Sequence, residues 1–256
     1  MNNELEFAKT LAHDAGEIMR KHFNNTTTHY KSDNTPVTLA DTEINQLVID
    51  RVRAEYPDHG VYSEEASFDQ ENSTVWVCDP LDGTSSFARG IPVAVFSLAL
   101  VLDGTPQLGV IYDPWTDRLY FAAKTHGAYL NNQQIHVNQH TLSDREAVIG
   151  YDYSPTMSFN TLKAAYELSR KTRFSGLGSF VHGSALVASG MSVAYIASGN
   201  RPYDIAAAKI IVEEAGGRVT DIFGEDQRYD REVRGAVVSN GIIHDEIINT
   251  IKKEFI

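Results

Sequence analysis

A single cysteine, Cys78, stands among 256 residues. No internal disulfide can form, which fits a reducing cytoplasm. A lone cysteine in an apolar run is expected to pack in a core rather than to act as a nucleophile. Positive charge is also scarce, with 22 Lys and Arg against 34 Asp and Glu and a formal net charge of −12. That balance argues against nucleic acid or an anionic membrane surface as the main partner, because both need clustered basic side chains. No apolar run reaches the roughly 20 residues of a membrane span. The start, Met1-Asn2-Asn3-Glu4, has neither a basic nor an apolar region, so no signal peptide is expected. Repeats, low-complexity tracts and Pro/Ser-rich linkers are missing too. The chain is therefore expected to fold as one unit over residues 1–256, with an N-terminal half to about 146 and a C-terminal half from about 147. What remains is an ordinary globular composition, 42% hydrophobic and 22% charged.

The most informative stretch is Val75 to Phe87. Val75-Trp76-Val77-Cys78 reads as a buried strand. It is expected to stop at Asp79-Pro80, since proline has no N–H for a sheet. Asp82-Gly83-Thr84 follows. Two carboxylates, Asp79 and Asp82, thus stand together at the end of a buried strand, where they repel each other unless a cation lies between them. Oxygen ligands favour Mg²⁺, Ca²⁺ or Mn²⁺. Gly83 allows close backbone approach, and amides opening a helix after it point at an anion. A divalent metal beside an anion-binding turn suggests phosphate, and metal ions let an acidic protein bind an anion.

Upstream, apolar spacing of three and four predicts helices over Asn3–Phe23 and Thr38–Tyr56. Asp41 falls in the first turn of the second, where the helix dipole alone would favour it. Val61–Glu65 reads as a short strand ending in paired acids, Glu64 and Glu65, which could converge with Asp79 and Asp82 on one metal cluster. Downstream, Ile91–Leu102, Gln107–Tyr112 and Arg118–Ala123 read as strands joined by turns at Asp103-Gly104 and Asp113–Thr116, with two shorter strands through Asn131-Asn132. This is an antiparallel meander, α+β rather than strict βαβ. In the second half, strands are predicted at Ala147–Tyr151, Arg173–Gly176, Val193–Ala197, Arg218–Asp221 and Ala236–Ser239. Helices are predicted at Phe159–Lys171, Ser179–Ser189, Ile205–Ala215 and Ile242–Phe255. Asp204, taken alone, reads most simply as an N-cap.

Together these pieces resemble the inositol monophosphatase superfamily of Mg²⁺-dependent, often lithium-sensitive phosphatases. Its first signature, D-P-[IL]-D-G-T-x-x-F, is met throughout Asp79 to Phe87. Its second, roughly [WY]-D-x-A-A followed by E-A-G-G, is matched from Tyr203 to Gly217. The paired-Glu segment appears as Ser63-Glu64-Glu65, and a K…T-x-x-D segment runs from Lys31 through Thr38 to Asp41. The resemblance covers essentially the whole chain. It implies a layered α/β/α/β/α sandwich of the inositol monophosphatase / fructose-1,6-bisphosphatase type, two or three Mg²⁺ ions (Mn²⁺ being possible) and a homodimer.

The resemblance also implies roles. Glu64, Asp79, Asp82, Asp204 and the Leu81 carbonyl would hold metal, with Asp41 and Glu65 near a further, weaker ion. Gly83 and Thr84 would bind phosphate through their amides. Thr84, with Glu64 and with Asp41 nearby, would activate the attacking water. No Ser, Cys or His nucleophile is required, and the nine histidines fall outside these motifs. The leaving alcohol would meet Asp82, Ser179, Phe180, Arg201 and Asp204. Here the chain departs from the family pattern: Phe180 replaces a small residue, the acid expected near Ala197 is missing, and Arg201 adds a positive charge. The implied activity is hydrolysis of a small-molecule phosphate monoester, of the inositol 1-phosphatase kind. Histidinol phosphatase, fructose 1,6-bisphosphatase and 3′(2′),5′-bisphosphate nucleotidase activities are the alternatives. A non-catalytic metal or sugar-phosphate binding module would need a broken metal site, yet every expected carboxylate is present.

Overall fold

The computed structural model describes residues 2–32, 35–152, 158–199 and 201–253. Asp33, Asn34, Asn200 and Phe255 are among the residues that lie outside them. The N-terminal part runs through helix α1 (Asn2–His22), strands β1 (His29–Tyr30) and β2 (Pro36–Val37), helix α2 (Leu39–Glu55), and strands β3 (Gly60–Ser63) and β4 (Thr74–Asp82). It continues with the one-turn helix α3 (Thr84–Phe87) and strands β5 (Val95–Leu102), β6 (Thr105–Asp113), β7 (Arg118–Ala123), β8 (Ala128–Leu130) and β9 (Gln133–Ile135). The C-terminal part comprises β10 (Val148–Tyr151), α4 (Leu162–Ser169), β11 (Arg173–Ser175), α5 (Phe180–Ala188) and β12 (Ala194–Ala197). A 3₁₀ turn (Pro202–Asp204) leads into α6 (Ala206–Glu214), β13 (Arg218–Thr220), β14 (Ala236–Ser239) and α7 (His244–Lys252).

β3 to β9 form a seven-stranded sheet in sequence order, and β11-β10-β12-β14-β13 form a five-stranded one. α1 and α2 cover the outer face of the first sheet, α5 and α6 lie between the sheets, and α4 and α7 cover the outer face of the second. The result is the expected α+β sandwich of five layers, α/β/α/β/α. β4 shows why its sequence is apolar without alternation. Val75 and Val77 face the central helices, while Trp76 and Cys78 face α1 and α2, so both sides are buried.

The strand does not stop at Asp79-Pro80, as its proline suggested; it runs on to Asp82. Asp79 pairs with Ser97 and Asp82 with Val95, so the register shifts between them. Pro80 falls in that bulge, and β3 pairs with β4 only as far as Cys78. No ladder bond is lost to the missing N–H. Other boundaries move by tertiary context. β5 begins at Val95 rather than Ile91, and α4 is shorter than predicted at each end. The Asp103-Gly104 turn has φ of 48° and 81°, the left-handed pair that a two-residue hairpin needs.

Candidate metal and phosphate site

The parallel pairing of β3 with β4 sets Ser63 beside Cys78 and sends both strand ends out on one side. Glu64 therefore emerges next to Asp79, its amide bonded to the Cys78 carbonyl at 3.3 Å. The bulge then turns Asp82 toward the same place. Asp204 arrives from the other half of the chain at the end of the 3₁₀ turn. It is not an N-cap; Ile205 holds that position on α6. Carboxylate oxygens of Asp79, Asp82 and Asp204 lie within 4.8 Å of one another.

Burial raises all three acids. Asp79 and Asp204 are held well above the usual carboxylate range by desolvation first, then by the charges of Glu64 and Asp82. Desolvation pushes Asp82 up to about 7, opposed by hydrogen bonds from the Ser179 hydroxyl and, at 2.8 Å, the Val181 amide. Like charges this close are unfavourable until a cation offsets them. An all-oxygen donor set suits a hard divalent ion. The residues present therefore fit a divalent cation such as Mg²⁺.

Thr84 opens α3, and Gly83 before it has φ of 94°. The Thr84 hydroxyl lies 2.9 Å from both the Asp41 Oδ1 atom and the Leu81 carbonyl. Asp41 is 1% exposed and bridges two tasks. Its Oδ2 accepts the Thr38 amide at 2.8 Å and the Thr38 hydroxyl at 2.6 Å, capping α2, while its Oδ1 faces Thr84. Asp41 thus caps α2 and touches Thr84 at once. Desolvation raises Asp41 and Glu65 as well.

These groups line a cavity of about 190 Å³ that includes Glu64, Asp79, Leu81, Asp82, Gly83, Thr84, Arg201 and Asp204. Glu65 stands beside it, bound to the Lys31 ammonium at 2.6 Å. Lys31 also reaches Glu64 at 3.1 Å. Lys31, the first residue of the K…T-x-x-D segment, follows β1 and so meets both acids. Asp152 was missed entirely: nothing in the primary pattern marks it, and only the fold brings it to Gly178. Ser179 is buried against Asp82. Phe180 does not reach the cavity; it is 9% exposed and packs edge-on against Tyr195, ring centroids 5.5 Å apart. Among the described residues, no helix is long and apolar enough to cross a membrane.

Comparison with known proteins places this architecture. The model of the inositol monophosphatase family matches residues 1–254. A fructose-1,6-bisphosphatase/inositol-1-monophosphatase of Thermotoga maritima is 31% identical over 98% of this chain and 96% of its own. A histidinol-phosphatase of Chlorobaculum parvum is 33% identical over 98% and 97%. The solved structure of a Thermotoga maritima IMPase superposes with a TM-score of 0.87 at 30% identity, covering 98% of this chain and 97% of that one. With signature residues gathered at one cavity and a match along nearly its whole length, the chain belongs to the inositol monophosphatase family, whose enzymes are phosphoric monoester hydrolases.

Proposed function

We propose that the protein is a Mg²⁺-dependent phosphatase for the monoester of a small soluble alcohol, with an inositol 1-phosphate as the first substrate to test. One observation carries the reading: a buried carboxylate, Asp79, and two half-buried ones, Asp82 and Asp204, converge within 4.8 Å at the mouth of a glycine turn. Glu64, Asp79, Asp82, Asp204 and the Leu81 carbonyl are the groups to hold two or three Mg²⁺ ions, or Mn²⁺, with Asp41 and Glu65 beside a weaker one. When bound, such ions neutralise phosphoryl oxygens, acidify water and stabilise a leaving alkoxide.

The chain's own residues do the rest. The Gly83 and Thr84 amides receive the phosphate, since first-turn amides lack intrahelical partners. The Thr84 hydroxyl, fixed by its donation to Asp41 or Leu81, orients the attacking water, and Glu64 takes its proton. Asp82, Ser179, Arg201 and Asp204 border the leaving alcohol. The halves before and after about residue 146 act as one unit in this reading, because Asp204 joins Asp79 and Asp82. A single free cysteine is compatible with a cytoplasmic location, and a homodimer is what the family resemblance implies.

Histidinol phosphate, fructose 1,6-bisphosphate and 3′-phosphoadenosine 5′-phosphate are the rival substrates. The relatives support more than one of them by name. Phosphate release from these three and from inositol 1-phosphate, in Mg²⁺ and in EDTA, tests the proposal. A Mg²⁺-dependent preference of about a hundredfold, roughly 2.7 kcal/mol of transition-state discrimination, names the substrate. Release unaffected by EDTA contradicts the metal-dependent reading.

A further inference from the structure

Tyr195 is a buried tyrosine, 1% exposed, that the proposed chemistry does not use. It stands on β12 and turns its ring into the central helical layer. Two glycines make room for it. A Cβ at Gly150 on β10 would lie 1.9 Å from the ring, and one at Gly183 in α5 would lie 1.8 Å away. Phe180 packs edge-on against the same ring. Packing alone would be served by phenylalanine; the hydroxyl is the unusual part. It donates to Asp152 Oδ2 and accepts the Leu177 amide at 3.4 Å. Asp152 Oδ1 in turn accepts the Gly178 amide at 2.9 Å. A buried hydroxyl and a partly buried carboxylate are costly unless bonded, so this pair is held in one arrangement.

The next residue along the turn is Ser179. Its hydroxyl donates to Asp82 and accepts the His182 amide at 3.2 Å, so it also caps α5. Gly178 has φ of 70°, lines the cavity and faces Ser86 so closely that a Cβ would lie 2.7 Å from that hydroxyl. The turn 176–179 is thus clamped between Asp152 and Tyr195 on one side and Asp82 on the other. We propose that Tyr195 and Asp152 are positioning residues, fixing the Leu177-Gly178 turn so that Ser179 meets Asp82 on the alcohol side of the cavity. This rests on the phosphatase reading above. It also gives Phe180 a place: the bulky residue braces the Tyr195 ring instead of touching substrate.

The test is a kinetic cycle with Tyr195→Phe, Ser179→Ala and the double variant, on whichever phosphate ester the wild-type enzyme hydrolyses best. Tyr195→Phe keeps the ring and removes only the hydroxyl. The expected result is a fall of about tenfold in kcat/KM, carried mainly by KM, with the double variant no worse than Ser179→Ala alone. Asp152→Asn is the second variant, should Tyr195→Phe not fold, and is expected to raise KM in the same way. If an active wild type is matched within twofold by Tyr195→Phe or, where that does not fold, by Asp152→Asn, or if the Tyr195 and Ser179 losses multiply, the positioning role is overturned. A lowered Tm with unchanged kcat and KM per folded enzyme also overturns it. A wild type silent on every ester overturns the phosphatase reading together with this one.

Discussion

Arg201 reaches across the cavity to Glu64, its Nη1 atom 3.2 Å from Oε1, from the opposite half of the chain. The guanidinium lines the cavity and shares Glu64 with Lys31, and a role in reading a second phosphate on a larger substrate is open to test. Arg201→Ala is expected to raise KM about tenfold for a bisphosphate or nucleotide substrate while sparing simple monoesters. Steady-state kinetics on one substrate of each kind decides it. Equal effects on both would remove Arg201 from substrate selection.

His244 gives the fold an acid limit. It is fully buried, with Nε2 at 2.9 Å from the Thr220 hydroxyl and Nδ1 at 2.8 Å from the Ser239 hydroxyl. Thr220 already donates to the Asp221 carbonyl and so accepts from Nε2. Ser239 accepts the Gly241 amide and is left to donate to Nδ1. Both contacts suit a neutral ring. Burial first, then Arg218, with Asp245 opposing and Lys209 adding, lowers its pKa from 6.5 to about 4. The unfolded chain therefore binds a proton that the folded one refuses between pH 6.5 and about 4. The stability held by the neutral ring is whole above 6.5 and falls as pH drops through that window, by about 3 kcal/mol in all. Urea unfolding of wild type and His244→Gln at pH 7 and pH 4.5 is the check. The wild type is expected to lose more than the variant on acidification.

Gly83 occupies a conformation that L side chains rarely adopt, with φ of 94°. An added Cβ would also lie 3.1 Å from the Gly178 carbonyl. Gly83→Ala is expected to cost about 1–2 kcal/mol of stability, a few degrees of Tm, by calorimetry. Phosphate release should fall at least tenfold as the turn shifts. An unchanged Tm and an unchanged rate would show that the turn tolerates a side chain.

Much of this was legible in the chain because local rules and tertiary needs agreed. The apolar run before Asp79 marked a strand buried on both faces, and Asp103-Gly104 marked a hairpin. Asp41 sits at the helix terminus where the dipole favours an acid, and its second oxygen meets Thr84. Where the reading failed, a long-range contact decided. Pro80 did not end β4, because its neighbours on both sides had stopped requiring a donor there. Phe180 turned inward because Tyr195, fifteen positions on, offers its ring face to it. Asp152 carries no periodic signal, and it is the parallel pairing of β10 with β11 that brings it to Gly178.

The same carboxylates that make the site chemically useful also strain the metal-free protein. Replacing Asp82 by Asn removes a carboxylate from a close group of three, of which Asp79 is buried and the other two are half-buried. In EDTA, Asp82→Asn is expected to be at least as stable as wild type, because like-charge repulsion is relieved. Thermal denaturation of the two proteins without metal checks this; a variant that melts well below wild type would contradict it.

The most direct test of the central claim is phosphate release from inositol 1-phosphate by wild type and Asp82→Asn, each in Mg²⁺ and in EDTA. The account predicts turnover by wild type in Mg²⁺, loss of it in EDTA, and a folded variant at least a hundredfold slower. Wild-type rates in Asp82→Asn, or turnover that persists in EDTA, would contradict it.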